Sequence, residues 1–197
     1  TNLAPMSNGP LPQDLIPEYQ AMVSSFLDQQ GIPIADNKEI WPEEDGPPLF
    51  SKEFFESQMD IIIDEKVPIY VSGLGNPGPW VERIHSYGGK VMAVVGAVRH
   101  ARQVVEAGID AVIAQGHDGG GHNSPIGTMA LIPQVVDAVG NQVSVIGAGG
   151  ITDGRGVAAT IMLGAKGAWI GSAFLASEEA GLFEGQKQAI VEAWFFC

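Results

Sequence analysis

The chain has a single cysteine among its 197 residues, and it is the last one, Cys197. One thiol cannot close an intrachain disulfide, which suits a reducing compartment. Basic residues are also few: 10 Lys and Arg stand against 23 Asp and Glu, for a net charge of −13. Nucleic-acid backbones and anionic membranes repel such a surface, and no basic run offsets it, so neither is expected as a partner. No apolar stretch reaches the ~18 residues needed to span a bilayer. Residues 1–12 lack the basic and apolar regions of a secretory signal, so a cytoplasmic protein is expected. His85, His100, His117 and His122 with one terminal cysteine do not make a structural zinc set, and no metal is expected. Phosphate-binding Gly-Lys-Ser/Thr and Gly-x-Ser-x-Gly are both missing, which excludes two common enzyme signatures.

What remains is ordinary globular composition, with 45% hydrophobic and 17% charged residues, enough apolar content to rule out a disordered chain. Residues 1–50 read as an irregular N-terminal segment with one helix. That helix runs over residues 14–30, where Ile16, Tyr19, Val23, Phe26 and Leu27 recur at helical spacing until Gly31 stops it. Four prolines make residues 32–49 irregular. From Ser51 the text becomes regular, and residues 51–197 read as one unit. Ser51 caps a helix to about Glu65, with Glu53 in its first turn. Short apolar runs at residues 67–72, 90–95, 111–115, 143–148 and 168–170 read as five strands. Helices at about 80–87, 99–107, 131–139 and 153–163 alternate with them. Buried, non-alternating strands between helices imply a parallel α/β sheet.

Three windows, residues 87–96, 107–116 and 163–172, repeat one grammar. A glycine ends a helix, a polar residue turns the chain, and an apolar strand ends in small or polar residues. Such repeats suit a (β/α) barrel or a doubly wound sheet. A complete eight-stranded barrel usually needs ~250 residues. Five strands therefore mean either an open sheet or a barrel lacking three strands, and the apolar ending from Ala193 to Cys197 reads as a truncation.

Twenty-six glycines are unevenly spread, and their clusters mark chemistry. The run Gln115-Gly-His-Asp-Gly-Gly-Gly-His122 lies at the C-terminal end of a strand, where parallel α/β folds bind ligands. Three bare glycines expose backbone N–H groups and let a flat ring approach. The imidazole of His122 can then exchange a proton or hydrogen-bond a developing anion near neutral pH. His117 reads as structural or exposed, and Asp118 as an acceptor of loop N–H groups. A second cluster, Gly147-Ala-Gly149-Gly150-Ile-Thr-Asp153, runs from a strand to a helix capped by Thr152 or Asp153. A third, Trp169-Ile170-Gly171-Ser172, follows the next strand. Amides at such turns suit a phosphate. His85 and His100 fall on helices and read as solvated. Trp80, Trp169 and Trp194 read as packing residues.

The run from Gly108 to His122 resembles the Ala-Asp-Ala-Val-x-x-Gln-Gly-x-Glu-Ala-Gly-Gly-His signature of the nitronate monooxygenases. Residues 130–139, 148–156 and 170–179 are similar to the later motifs of that family, in the same order. Asp118 stands where the family usually has Glu, and Gly119 where it has Ala. The resemblance covers residues 67–179 and implies a TIM (β/α)8 barrel, incomplete here, whose five strands correspond to the fourth through eighth. It implies FMN as cofactor and His122 as the active-site histidine. Gly116 and Gly121 fall on flavin-contacting glycines, Gly149 and Gly150 on the first phosphate turn, and Trp169, Ile170, Gly171 and Ser172 on the second. The implied reaction is oxidation of an alkyl nitronate or nitroalkane by O2. A flavin-dependent enoyl-(acyl carrier protein) reductase shares the Gly-Gly-His loop and is the alternative enzyme. A non-catalytic barrel fragment that associates with itself or with another chain through open sheet edges is the alternative outside enzymology.

Overall fold

The computed structural model describes residues 16–31 and 51–193. The described residues divide into two compact units between Ile61 and Ile62. The irregular stretches expected at residues 1–12 and 32–49, and the tail at 194–197 with Trp194, lie outside the described residues.

In the N-terminal unit, α1 (Ile16–Gln30) ends at Gly31, whose φ of +65° stops the helix where the sequence expects it. Val23 and Phe26 of its apolar stripe are exposed. Helix α2 (Lys52–Asp64) starts in this unit. Ser51 Oγ accepts the Phe54 N–H at 3.1 Å and caps it.

The second unit is built on strands β1 (Ile69–Ser72), β2 (Lys90–Val95), β3 (Ala111–Gln115), β4 (Ser144–Ala148) and β5 (Gly167–Trp169). All pairings are parallel, and the spatial order is β1-β2-β3-β4-β5. This order separates the two architectures left open by the repeat pattern. A doubly wound sheet reverses direction at a switch point, whereas a barrel adds each strand beside the previous one. The sheet is thus part of a (β/α)8 barrel. Between the strands run α3 (Gly78–His85), α4 (Val98–Glu106), α5 (Thr128–Val139) and α6 (Gly154–Met162). Crossovers of one hand put such helices on one face of the sheet. There Val91, Ala93 and Val95 are buried, alternating with half-buried Met92 and Val94. On the helices, Ile84, Val104, Leu131, Ile132, Val135 and Val139 are sealed from solvent. Burying each such side chain stabilises the fold by about 1.5–3 kcal/mol.

Register sets the two ends of the sheet. At the C-terminal edge Gln115, Ala148 and Trp169 form one row. At the N-terminal edge Asp110 accepts hydrogen bonds from Lys90 Nζ at 2.7 Å and from the Val91 N–H at 2.8 Å, with His85 Nε2 also at 2.8 Å. His85 is thus solvent-exposed, as its position suggests, but tied to a carboxylate.

Two helices go beyond the sequence reading, α7 (Ser172–Leu175) and α8 (Glu184–Glu192). Neither buries a residue, so neither carries the apolar periodicity by which a helix is recognised. Helix α8 starts where Gln186 Oε1 accepts the Phe183 N–H at 3.2 Å. Helix α5 begins three residues earlier than expected, because Asp118 Oδ2 accepts the Thr128 N–H at 2.8 Å. A cap supplied from ten residues upstream leaves no local signal. Among the described residues no helix is long and apolar enough to cross a membrane.

Candidate active site

The loops after β3, β4 and β5 meet at the C-terminal edge of the sheet. They border a cavity of about 780 Å³, within the 300–1,000 Å³ typical of ligand sites. Its floor is the last row of the sheet, Gln115, Ala148 and Trp169. Gly149 and Gly150 line it on one side, Gly171 and Ser172 on another, and Gly119 and Gly120 reach it from the β3 loop. The two turns separated by about twenty residues in sequence therefore share one space.

Gly149 and Gly150 have φ of +103° and +68°, a region costly for any residue with a Cβ. A Cβ on Gly149 would also stand 2.6 Å from Thr128 Oγ1. The N–H groups of Gly149, Gly150, Gly171 and Ser172 donate to no other group among the described residues. Four free amides around one cavity fit the phosphate of a cofactor. The start of α6 contributes less than its position promises. Asp153 is its cap, and Asp153 Oδ1 takes the Arg155 N–H at 2.8 Å and the Gly156 N–H at 3.4 Å. Hydrogen bonds from the Arg155 side chain and backbone hold the Asp153 carboxyl down to about 2.

Gly116 is buried and outside the cavity wall. A Cβ there would lie 2.3 Å from the Thr128 backbone nitrogen, so glycine lets α5 pack against the end of β3. The Gly116 N–H extends the sheet by bonding Ala148 O at 3.1 Å. Gly121 takes a φ of +77° in an open part of the loop, and Ile170 borders neither cavity. Trp169 is 45% exposed at the cavity edge, which corrects its reading as a packing residue.

His122 lies on the exposed part of the β3 loop and lines a second, smaller cavity of about 60 Å³ beside the first. Gln115 borders both. The loop is held by internal bonds. His117 Nδ1 stands 3.0 Å from Ser124 O, the His117 N–H bonds Ile126 O at 2.8 Å, and Gln115 Nε2 donates to Gly120 O at 3.1 Å. Asp118 acts as the acceptor of loop N–H groups that its type suggests. The Thr128 N–H holds its carboxyl below the ordinary range.

His100 overturns the expectation of a solvated histidine: it is 5% exposed and faces the small cavity. The signal was present in the helical spacing of Ala97, His100, Ala101 and Val104, all buried on one face of α4. Gln115 was legible as well, since it closes a strand at its C-terminal end.

A family model described as nitronate monooxygenase matches residues 25–196. The chain belongs to the nitronate monooxygenase family. A Mycobacterium tuberculosis protein classed as a monooxygenase is 38% identical over 170 residues, covering 85% of this chain and 45% of that protein. A Staphylococcus aureus protein classed as a nitronate monooxygenase is 33% identical, covering 90% of this chain and 53% of its own length. Among solved structures, FabK from Thermotoga maritima matches with a TM-score of 0.68 at 35% identity, over 89% of this chain and 53% of that one. A nitroalkane oxidase from Streptomyces ansochromogenes matches with a TM-score of 0.71 at 28% identity, over 91% of this chain and 52% of that one. The chain thus spans about half the length of the curated relatives it matches. The nitronate monooxygenase family is one of flavin-dependent oxidoreductases, and the incomplete barrel agrees with the coverage of its relatives.

Proposed function

We propose that the protein is an FMN-dependent oxidoreductase that oxidises alkyl nitronates or nitroalkanes with O2. The observation that carries this reading is the meeting of two free-amide turns, at Gly149–Gly150 and Gly171–Ser172, on one cavity bounded by the loop of His122. In the nitronate monooxygenase reading, these amides hold the phosphate. Trp169 and Gly119–Gly120 border the space for the rest of the cofactor, with Gly116 and Gly121 shaping the loop. A bound flavin supplies the electron acceptor. The chain's own work is to hold the substrate and to manage its charge and proton. His122 donates a hydrogen bond to the anionic nitro group, or takes the α-proton when the substrate is a neutral nitroalkane.

The likeness to the nitroalkane oxidase of Streptomyces ansochromogenes supports the nitro-compound substrate. The flavin-dependent enoyl-(acyl carrier protein) reductase is the second reading. It is favoured by the higher identity to FabK from Thermotoga maritima, 35% against 28%. Anaerobic addition of ethylnitronate and of NADH, in parallel, to the flavin-loaded protein separates the two. Bleaching of the flavin band by nitronate alone is the expected result. Bleaching by NADH alone transfers the protein to the reductase reading. No flavin band in the purified protein leaves the non-catalytic reading.

A further inference from the structure

The small cavity beside the cofactor space contains a feature that the reaction as described leaves unused. His100 sits in the first turn of α4, is 5% exposed, and lines the same 60 Å³ space as His122. Its ring makes no hydrogen bond among the described residues, yet no buried side-chain nitrogen there is sealed without a partner. The ring nitrogens therefore keep some accessible surface, and the residue lines this cavity. Burial, and then the Arg99 charge, lower the pKa of His100. The positive end of α4 acts in the same direction. The shift favours the neutral imidazole, which offers one N–H and one lone pair.

Two other polar side chains in the wall are at least partly engaged. Ser124 Oγ donates to Gly96 O at 2.6 Å and accepts the Ile126 N–H at 2.9 Å. Gln115 spends its amide on Gly120 O. His100 and His122 are the two titratable side chains in this wall, where Gln115 keeps its Oε1 and a second amide N–H. The space is small and suits a head group of a few atoms.

We propose that the cavity between His100 and His122 is a pocket for one small planar oxyanion head, such as the nitro group of a nitronate, with His100 as its inner hydrogen-bond donor. This rests on the nitro-compound reading above. The carbon end of the substrate then points out of this pocket toward the larger cavity, past Gln115, which borders both.

Nitrate, planar and close in shape to the head group, is the probe, titrated into the flavin-loaded protein by calorimetry. His100→Leu is expected to weaken nitrate about ten-fold, the effect of one lost hydrogen bond to a charged group. The KM for ethylnitronate should rise by a larger factor than kcat falls, with flavin content unchanged. His100→Gln, which retains a donor of similar reach, should recover most of the affinity. Nitrate affinity within two-fold of the parent in His100→Leu, or no nitrate binding by the parent, overturns the pocket. Should His100→Leu fail to fold, His100→Gln against the shorter His100→Asn decides in the same way, and equal affinities overturn it. Nitrate binding that depends on His100 in a protein that does not oxidise nitronates would sink the proposed reaction but keep the pocket. Normal nitronate turnover with nitrate binding indifferent to His100 would do the reverse.

Discussion

The N-terminal edge of the sheet is closed by charge, whereas its C-terminal edge is lined by backbone. At the first, one carboxylate, Asp110, gathers Lys90 and the Val91 N–H of β2 and His85 of α3, and so ties the start of β3 to both. At the second, four N–H groups of Gly149, Gly150, Gly171 and Ser172 have no partner among the described residues, and His100 and His122 line a cavity. Satisfied polar groups stabilise a fold, and unsatisfied ones are held ready for a ligand. The same division between a stability end and an activity end is general to parallel barrels. Here it can be traced to individual atoms.

Substitutions at the two ends should therefore separate turnover from stability. The largest effect is expected at His122. His122→Asn should lower kcat with ethylnitronate by about 10²–10⁴-fold while flavin content and the melting curve stay near the parent. Turnover equal to the parent would remove His122 from the chemistry. At the opposite edge, Asp110→Asn should cost roughly 1–2 kcal/mol in urea unfolding at neutral pH, discounted for the exposed lysine, with flavin content unaffected.

That cost carries a pH signature. Partial burial alone would raise the Asp110 carboxyl. The bonds from Lys90, Val91 and His85 outweigh burial and hold it below the ordinary 3.8. A carboxyl with a depressed folded-state value contributes its stability fully above the unfolded value and loses it as pH falls toward the folded one. The gap between parent and Asp110→Asn should thus close as pH falls below about 4. A gap that persists unchanged well below about pH 4 would refute the assignment.

Gly149→Ala sharpens the comparison further, because it adds a Cβ beside Thr128 Oγ1 in a turn with φ of +103°. Flavin affinity should fall by about ten-fold, more than stability does, as measured by flavin fluorescence on titration. The smallest effect is expected for Asp153→Ala. It removes an exposed helix cap and should lower the calorimetric melting temperature slightly, with flavin affinity close to the parent. A loss of flavin as large as that of Gly149→Ala would mean that the α6 terminus, and not the free amides of the turn, holds the phosphate.

Much of this was legible along the chain. Apolar runs of four to six residues between glycine-stopped helices located all five strands, and β2 and β3 lie on the residues expected. The Ser51 cap, the Gly31 stop and the acceptor role of Asp118 were readable because each depends on a residue type and its near neighbours. The later pieces were less so. Helix α8 hides in a polar segment, and the early start of α5 depends on a carboxylate in another loop.

Periodicity and turn chemistry act over one or two turns of chain, so the sequence by itself determined which segments are strands, where helices stop, and which loops carry glycine and histidine. It could not say that the turns at residues 149 and 171 share a cavity, because that follows from β4 and β5 lying side by side in register. Nor could it turn His100 inward: a residue on a helix surface is buried or exposed only by what the sheet places against it. Those distances belong to the packing of strands far apart in sequence, and tertiary structure alone sets them.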